Sequence, residues 1–275
     1  MSDAVIVEEA LRQFFRAQRS VLVALSGGVD SSVLAALAAS ELRERALAVT
    51  GVSASLPSDE LAEIRRFCAR LGLAHETIET HEMSRPAYVQ NLPDRCYHCK
   101  SELFARLASL AQSRGIECVV DGTHVDDLEG HRPGRQAAAE LSVVSPLVSA
   151  GAGKEVVRSL ARKLGLPNAD RPGSPCLASR VAYGVRLSVP RLAKVHGGEL
   201  VLKRLGFPDC RVRLHEAGDA TIARIEVPPA QLARAVGNAS AIAQALRELG
   251  FTWVTLDLQG QRRGSLLEAF PVLPA

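Results

Sequence analysis

The stretch VLVALSGGVDSSVLA, residues 21–35, constrains the fold of this chain more than any other segment. A short apolar run leads directly into Ser26, Gly27 and Gly28, and helical character begins near Asp30. Adjacent glycines let the backbone turn sharply and expose its N–H groups, and a helix that starts here adds the positive end of its dipole. We therefore predict a buried strand, a glycine loop and a helix that together form a cradle for pyrophosphate.

The polar side chains of this loop suit the same purpose. Three serine hydroxyls can donate hydrogen bonds to phosphate oxygens, whereas Asp30 would repel a bare phosphate. Its carboxylate is best explained as a ligand of Mg²⁺ or of the water around it. The loop matches neither G-x-x-x-x-G-K-[ST] nor G-x-G-x-x-G, and an ordinary capped glycine turn is the alternative. The predicted nucleotide-binding residues of the loop are Ser26, Gly27, Gly28, Asp30, Ser31 and Ser32.

Helical and strand-like segments alternate through the first half of the chain. Helices are predicted at about 4–18, from Ser58 as an N-cap, and over CYHCKSELFARLASLAQSRG up to Gly115. The strand-like segments are ALAVTGVSAS, AHETIET and IECVVDGTH. Such alternation predicts an α/β fold, a parallel sheet with helices on both faces. Its ligands would bind beyond the carboxyl ends of the strands, where SGGVDSS and DGTHVDD lie.

The pattern changes in the second half. KEVVRSLARKLG, residues 154–165, is predicted as a further helix, and the PNADRPGSPCLASR segment behind it is rich in proline and glycine. From about residue 180 the segments run helix, strands, helix, strand, which is typical of a small α+β domain. We therefore assign residues 1–175 to an α/β domain and residues 176–275 to a smaller C-terminal α+β domain.

Charge and hydropathy limit the kinds of partner. With 33 Lys+Arg against 30 Asp+Glu, the formal net charge is +3, too mild for a nucleic-acid-binding stripe but suited to an anionic small molecule. The beginning MSDAVIVEEALRQFF carries acids where a secretory signal needs basic residues. No apolar run approaches the ~20 residues of a membrane span. We predict a cytoplasmic protein without membrane or nucleic-acid partners, whose cysteines are mostly reduced.

Two of the six cysteines, Cys96 and Cys99, have C-x-x-C spacing in PDRCYHCKSELF. By itself this spacing is compatible with a zinc knuckle, a redox pair, part of an iron–sulfur site or chance. Structural zinc needs four ligands, and His98 would be awkwardly aimed between two of them. The cysteines in apolar surroundings are predicted to be core residues, namely Cys68, Cys118 and Cys210.

Cys176 lies in RPGSPCLASR, a proline-rich loop between the two predicted domains. Loops held by a rigid scaffold often carry chemistry. Arg171 and Arg180 flank this cysteine, and positive neighbours favour the thiolate form. We interpret Cys176 as a candidate catalytic residue, with a cysteine packed in a loop as the alternative.

The motif S-G-G-x-D-S resembles that of the PP-loop ATP pyrophosphatases, which have an adenine nucleotide alpha hydrolase-like fold. This resemblance implies cleavage of ATP to AMP and pyrophosphate to activate an oxygen as an adenylate. Four longer segments resemble the LarE family of ATP-dependent sulfur transferases over nearly the whole chain. They are DGTHVDDLEGHRPG, GKEVVRSLARKLGLPNADRPGSPCLASR, RVRLHEAGDATIARIEV and TWVTLDLQGQRRGS.

The LarE resemblance implies a reaction and a set of partners. A carboxylate of pyridinium-3,5-biscarboxylic acid mononucleotide would be adenylated and converted to a thiocarboxylate for nickel-pincer cofactor synthesis. ATP and Mg²⁺ would be cofactors, with sulfide or another sulfur donor as a partner. The C-terminal domain would bind the substrate and form a homo-oligomer.

The resemblance also assigns residues to the first domain. Lys154 would neutralise phosphate charge and, with Asp30 and Cys176, belong to the catalytic set. Asp126 and Asp127 are either loop caps or outer groups of the metal shell. Further ATP-binding or Mg²⁺-shell positions are Asp121, Gly122, Thr123 and Arg132.

In the C-terminal domain the resemblance implies a phosphate clamp. Arg211 and Arg213 alternate along a predicted strand and therefore share a face, and Arg262 or Arg263 would complete the clamp. A solvated strand face is the alternative for the arginines, and a simple ion pair with Arg224 or Arg213 is the alternative for Glu226. The implied substrate-binding residues are Arg180, Arg211, Arg213, Glu199, Glu226 and Arg262.

The source of sulfur has two explanations. Three thiolates suit a [4Fe–4S] cluster with one open iron, since full ligation takes four, and the first hypothesis places such a cluster on Cys96, Cys99 and Cys176. In the second, Cys176 is sacrificed as the sulfur donor and becomes dehydroalanine. The rival functions are a tRNA thiolase, an ammonia-using ligase and a non-catalytic nucleotide-binding module.

Overall fold

The structure, a computed structural model, describes residues 3–128, 133–173, 175–262, 264–266 and 268. It divides into two compact units. The first contains Met1–Arg85 and Asp94–Ser174, and the second contains Pro86–Pro93 and Pro175–Ala275. Each unit has its own sheet and its own buried core.

The sheet of the first unit is parallel throughout the strands that the structure describes. Its strands are β1 (Val21–Ala24), β2 (Ala46–Val52), β3 (Ala74–Glu79) and β4 (Cys118–Val120), in the spatial order β3-β2-β1-β4. Val21 lies opposite Ala46 on one side and Cys118 on the other. The loop after β1 therefore lies at the carboxyl edge of a central strand, as the alternating pattern predicted.

Helices cover both faces of this sheet. Val21 and Val23 of β1 point into one apolar core, and Leu22 between them points into the other. The first core is completed by α1 (Asp3–Ala17), α2 (Val29–Leu42), α3 (Ser58–Leu71) and α8 (Lys154–Lys163). The second is completed by α5 (Arg95–Arg114) and α6 (Pro133–Glu140), and the short α7 spans Pro146–Ser149. The predicted α/β fold with two helical layers is confirmed.

One local prediction for the first unit was wrong, and one helix had not been predicted. Pro57, rather than Ser58, occupies the N-cap of α3, and its carbonyl accepts the first helical hydrogen bond from the Leu61 N–H at 3.4 Å. The segment PGRQAAAE, for which the sequence predicted no element, forms α6, with Ala137 and Ala138 buried against α5. The small alanine side chains let α6 pack closely on α5. Eight residues are too few for an amphipathic pattern to predict this helix.

The second unit is a small α+β structure, as predicted. β5 (Arg211–Ala217) and β6 (Ala220–Glu226) are antiparallel, and β7 (Trp253–Leu256) runs parallel to β6. Helix α9 (Val189–Arg204) starts at Ser188, whose hydroxyl oxygen accepts from the Arg191 N–H. The remaining helices are α4 (Pro86–Val89), α10 (Leu232–Gly237) and α11 (Ala239–Glu248).

The segment Pro86–Pro93 joins the second unit through Asn91. This residue is fully buried, and its side-chain amide donates to the carbonyls of Ala182 (2.8 Å) and Val185 (3.0 Å). No helix among the described residues combines the length and the apolar character that crossing a lipid bilayer requires.

Candidate active site

The glycine loop after β1 has a geometry that only glycine permits at its centre. Gly27 has φ +81°, and a Cβ there would lie 2.9 Å from Cγ1 of Ile64. Gly28 is extended, occupies the N-cap of α2 and is exposed. Within the described part of the chain, the Gly28 N–H makes a single long contact, of 3.5 Å, with the Ser26 hydroxyl oxygen. The exposed Gly28 and the N-terminus of α2 therefore lie together, an arrangement suited to an anion, and the binding of pyrophosphate there stays a prediction.

The three serines of the loop differ in burial and in hydrogen-bond partners. Ser31 and Ser32 are buried, whereas Ser26 is exposed. The Ser31 hydroxyl donates to the Gly28 carbonyl at 3.1 Å and accepts from the Ser26 N–H at 3.3 Å. Ser31 therefore closes the loop internally, and the exposed Ser26 hydroxyl lies 3.2 Å from the Ser31 hydroxyl.

Asp30 and Lys154, which are 124 positions apart in the sequence, meet beside the loop. The Lys154 ammonium donates to both carboxylate oxygens of Asp30, at 2.8 and 2.7 Å. Lys154 is the first residue of α8, and its backbone N–H donates to Oδ2 of Asp126 at 2.8 Å. Asp126 thus acts as a cap for α8, and Asp127 lies 3.4 Å from Nε2 of the buried His124.

The end of β4 packs against the same loop. Asp121 is buried, and Ser145 and Thr123 donate hydroxyl hydrogen bonds to its two carboxylate oxygens at 2.7 Å each. A Cβ on Gly122 would lie 2.8 Å from the backbone nitrogen of Ser31. Asp121 and Thr123 therefore shape the turn, and Gly122 lets that turn lie against the first turn of α2. Arg132 lies outside the described residues.

Cys96 and Cys99 lie in the first turn of α5, three residues apart and hence on one face of the helix. Cys96 is exposed and Cys99 is half-buried. Cys176, in the second unit, is exposed and precedes the short helical turn Leu177–Arg180. Over the described residues, neither unit gathers three Cys, His, Asp or Glu side chains into a metal-binding group. Among its described residues, the first unit thus offers two thiols of the kind that iron binds, without a three-ligand group around them.

Arg180 holds the backbone on either side of the Cys176 thiol. It is buried, and its Nε donates to the buried Glu199 at 2.9 Å. Its Nη1 donates to the carbonyls of Pro175 and Cys176. Arg171, the other predicted neighbour of the thiol, forms ion pairs with Glu63 and Glu60 in the first unit.

Arg213 and Glu226 form a second buried ion pair. The Nη2 of Arg213 donates to Oε2 of Glu226 at 2.9 Å, and its Nη1 donates to the Ser179 carbonyl at 2.9 Å. Arg224 lies 3.3 Å from Oε1 of Glu226, and the Ser265 hydroxyl donates to that oxygen at 2.5 Å. Glu226 therefore forms ion pairs with both arginines, and its predicted place in the substrate site stays a prediction.

Charges of both signs lie around Arg211, and Glu226 and Asp209 oppose the effect of the neighbouring arginines on its pKa. Burial, and then the charges of Arg213 and Arg180, lower the pKa of the half-buried Arg211 guanidinium. Burial also lowers the pKa of Arg213, and Glu226 opposes that effect. Arg262 is engaged elsewhere, with Asp257 at 3.0 Å and both oxygens of Glu268 at 2.7 and 2.6 Å. Arg263 lies outside the described residues.

Comparison with known proteins places this geometry in a family. Residues 5–127 match the asparagine synthase family model. An uncharacterised protein of a Synechocystis species is 43% identical over 260 residues, 94% of this chain and 96% of that protein. The pyridinium-3,5-bisthiocarboxylic acid mononucleotide synthase of Lactiplantibacillus plantarum is 34% identical over 247 residues, 90% of this chain and 88% of that protein. The chain belongs to the LarE-type family of PP-loop sulfur transferases.

A further relative is similar to only part of this LarE-type protein. The tRNA-specific 2-thiouridylase of Sphingopyxis alaskensis is 30% identical over 194 residues, 57% of this chain and half of that protein. Membership in the family makes this protein an ATP-dependent sulfur-transferring enzyme. The glycine loop lies within the residues that match the asparagine synthase model.

Sequence reasoning missed two residues that shape the nucleotide loop of this LarE-type protein. Ser145 holds the Asp121 carboxylate, and Asn168 donates to the Gly27 carbonyl at 3.0 Å and to the Ser32 hydroxyl at 2.9 Å. Asn168 lies in the stretch whose composition suggested only a proline- and glycine-rich loop. Its only signal is an amide side chain shortly after the helix that begins with Lys154.

Proposed function

We propose that this LarE-type enzyme converts a carboxylate of pyridinium-3,5-biscarboxylic acid mononucleotide to a thiocarboxylate. The substrate oxygen attacks the α-phosphorus of ATP, and the bond to pyrophosphate breaks. A sulfur nucleophile then attacks the acyl carbon, and the bond to AMP breaks. The observation that carries this proposal is the 34% identity to the Lactiplantibacillus plantarum synthase across 88% of that protein.

The glycine loop and α8 support the adenylation step. The Gly28 N–H and the N-terminus of α2 would hold the pyrophosphate part of ATP. When ATP binds, the Lys154 ammonium would leave the Asp30 carboxylate and contact phosphate oxygens instead. Asp30 then becomes available to Mg²⁺, which proteins bind with one or two carboxylates together with phosphate oxygens and water. The metal would neutralise charge on the leaving pyrophosphate.

The arginine cluster of the second unit supports binding of the mononucleotide phosphate. Arg180, Arg211 and Arg213 interact electrostatically, and an anion near Arg211 would relieve their mutual repulsion. The Nε of Arg213 is buried and makes no hydrogen bond among the described residues. A phosphate oxygen would supply the missing acceptor. Glu199 and Glu226 hold these arginines in place through ion pairs.

For the sulfur source, we propose that Cys96, Cys99 and Cys176 bind a [4Fe–4S] cluster, which would supply sulfide sulfur to the adenylate when bound. The support is chemical: an exposed and a half-buried thiol share one face of α5, and a third exposed thiol stands outside any core. Sacrifice of Cys176 is the competing explanation, because the same exposure also suits a consumed thiol.

Mass spectrometry and metal analysis of anaerobically purified protein test both the proposed reaction and the proposed sulfur source. With ATP, Mg²⁺ and the mononucleotide, we expect AMP, pyrophosphate and a product in which sulfur replaces one oxygen. We expect iron and sulfide in the wild type and in Cys118→Ser, the matched control, and their loss in Cys96→Ser, Cys99→Ser and Cys176→Ser. Iron-free protein that turns over once and loses one sulfur and two hydrogens would overturn the cluster. Absence of AMP and of thiocarboxylate would overturn the function.

Thiolation of tRNA is a second candidate, favoured by the partial identity to the tRNA-specific 2-thiouridylase. The formal net charge of +3 argues against a strong RNA-binding surface. Incubation with ATP, a sulfide source and unmodified tRNA would separate the two. Thiouridine in the tRNA, with the mononucleotide left unchanged, would favour this candidate over the first.

A further inference from the structure

We infer that Asn168 is a positioning residue that sets the orientation of the anion-binding peptide in the nucleotide loop. The inference rests on the proposed use of that loop for ATP phosphates. Asn168 lies 141 positions from Gly27 in the sequence, yet its Nδ2 donates to the Gly27 carbonyl at 3.0 Å. The peptide that this carbonyl belongs to also carries the N–H of Gly28.

Because the peptide bond is planar, the contact of Asn168 with the Gly27 carbonyl also fixes the direction of the Gly28 N–H. In a trans peptide the C=O of one residue and the N–H of the next point in opposite directions. Because Asn168 holds the Gly27 carbonyl on the protein side, the Gly28 N–H points away from Asn168, and Gly28 is exposed. If the peptide rotated by half a turn, a carbonyl oxygen would face the anion instead of a donor. Flanking glycines make such a rotation easy, so an external anchor is needed.

The second hydrogen bond of Asn168 extends the anchor across the loop. Nδ2 also donates to the hydroxyl oxygen of Ser32, in the first turn of α2, at 2.9 Å. One amide group therefore ties the glycine turn to the helix N-terminus whose dipole attracts the anion. Lys154 and Asn168, at opposite ends of α8 and its following loop, approach the nucleotide loop from the same segment of the chain.

The chemistry of the contact requires an amide donor. A backbone carbonyl can only accept, so the nitrogen of Asn168 and not its oxygen must face Gly27. This orientation leaves Oδ1 of Asn168 buried without a hydrogen bond among the described residues. An unsatisfied buried acceptor lowers the stability of the fold. Stability alone therefore does not explain an asparagine at this position, whereas orientation of the loop does.

The test compares ligands with and without phosphate in Asn168→Leu, which keeps the side-chain shape but removes the donor without adding charge. Titration calorimetry with pyrophosphate, ATP and adenosine measures the three affinities. We expect the Kd for pyrophosphate and for ATP to rise about tenfold, as for loss of one oriented donor, and the Kd for adenosine to stay unchanged. Asn168→Ala should behave in the same way.

Asn238→Leu is the matched control, because the Asn238 amide also donates to a backbone carbonyl, that of Arg234 at 2.8 Å, in the second unit. It should leave all three affinities unchanged. Asn168 variants with wild-type affinity for pyrophosphate, or with equal losses for pyrophosphate and adenosine, would overturn the positioning role alone. A wild-type protein that binds neither pyrophosphate nor ATP would overturn the nucleotide site and this role with it.

Discussion

Single residues of the second unit show how this protein keeps charge inside its fold. Arg180 and Glu199 are each almost completely buried, and they neutralise each other at 2.9 Å. Glu199 accepts a further hydrogen bond from the Val212 N–H at 3.3 Å. A buried charge without a partner is far more costly than a buried pair. The pair therefore stabilises the loop of Cys176 only as long as both members are present.

Replacement of Arg180 by Met should destabilise the protein by roughly 3–5 kcal/mol, because Glu199 would remain buried and unpaired. Arg191→Met is the control, since Arg191 forms a partly exposed ion pair with Glu216 in the same unit. Pairs of that kind contribute about 0–1 kcal/mol. Urea denaturation followed by circular dichroism measures both effects. Equal midpoints for the two variants would show that the Arg180 pair does not behave as a buried one.

At the scale of elements, the nucleotide loop depends on what packs behind it. Helix α2 begins at the loop, α8 delivers Lys154 to Asp30, and the end of β4 lies against the first turn of α2. The closeness of β4 and α2 rests on Gly122, where a Cβ would lie 2.8 Å from the Ser31 backbone nitrogen. Backbone atoms cannot rotate away as a side chain can, so this contact has no room for a methyl group.

The Gly122→Ala substitution should therefore move the first turn of α2 and weaken ATP binding by more than tenfold, with a loss of about 1–3 kcal/mol in stability. Gly173→Ala is the control, because among the described residues, its chain neighbours aside, no heavy atom lies within 4 Å of a Cβ at that position, and its φ is not left-handed. Titration with ATP and thermal unfolding measure the two effects. Tight ATP binding by Gly122→Ala would mean that the two elements can separate at little cost.

At the scale of the whole molecule, the six cysteines are sorted by burial. Burial raises the pKa of Cys68 to about 11 and that of Cys210 to about 12, and it also raises the pKa of Cys118. Cys96 and Cys176 are exposed. A raised pKa keeps a thiol protonated at neutral pH, and only the thiolate is a good nucleophile. Cys118, predicted as a core residue, is only half-buried at the edge of a core, but its raised pKa sets it apart from Cys96, Cys99 and Cys176 as a candidate reactive thiol.

Alkylation of the folded protein at pH 8, after any bound iron has been removed by a chelator, should modify Cys96 and Cys176 long before Cys68 or Cys210. At that pH, the thiolate fraction of Cys68 is roughly one part in a thousand, and it increases only as the pH approaches 11. Peptide mass spectrometry after timed treatment with iodoacetamide measures the order. Protein unfolded in guanidinium is the control, and all six cysteines should react there. Equal rates at Cys210 and Cys176 in native protein would contradict the burial pattern.

The sequence by itself determined the features that depend on neighbouring residues. Apolar periodicity indicated the parallel sheet, the helical layers and the smaller α+β unit, because burial repeats with the period of each element. The loop Ser26–Gly27–Gly28 was recognisable because two adjacent glycines before a helix have few other uses. Helix α5 and its end at Gly115 followed from the same local rules.

Only the tertiary structure decided which distant side chains meet. Asn168 reaches Gly27 across 141 positions, Asp30 is neutralised by Lys154, and Glu226 lies between Arg213 and Arg224. The segment Pro86–Pro93 joins the second unit through Asn91. No local pattern specifies such pairings, because a hydrogen bond or ion pair forms wherever packing brings two groups together. The sequence contains the groups, and the packing of the elements chooses their partners.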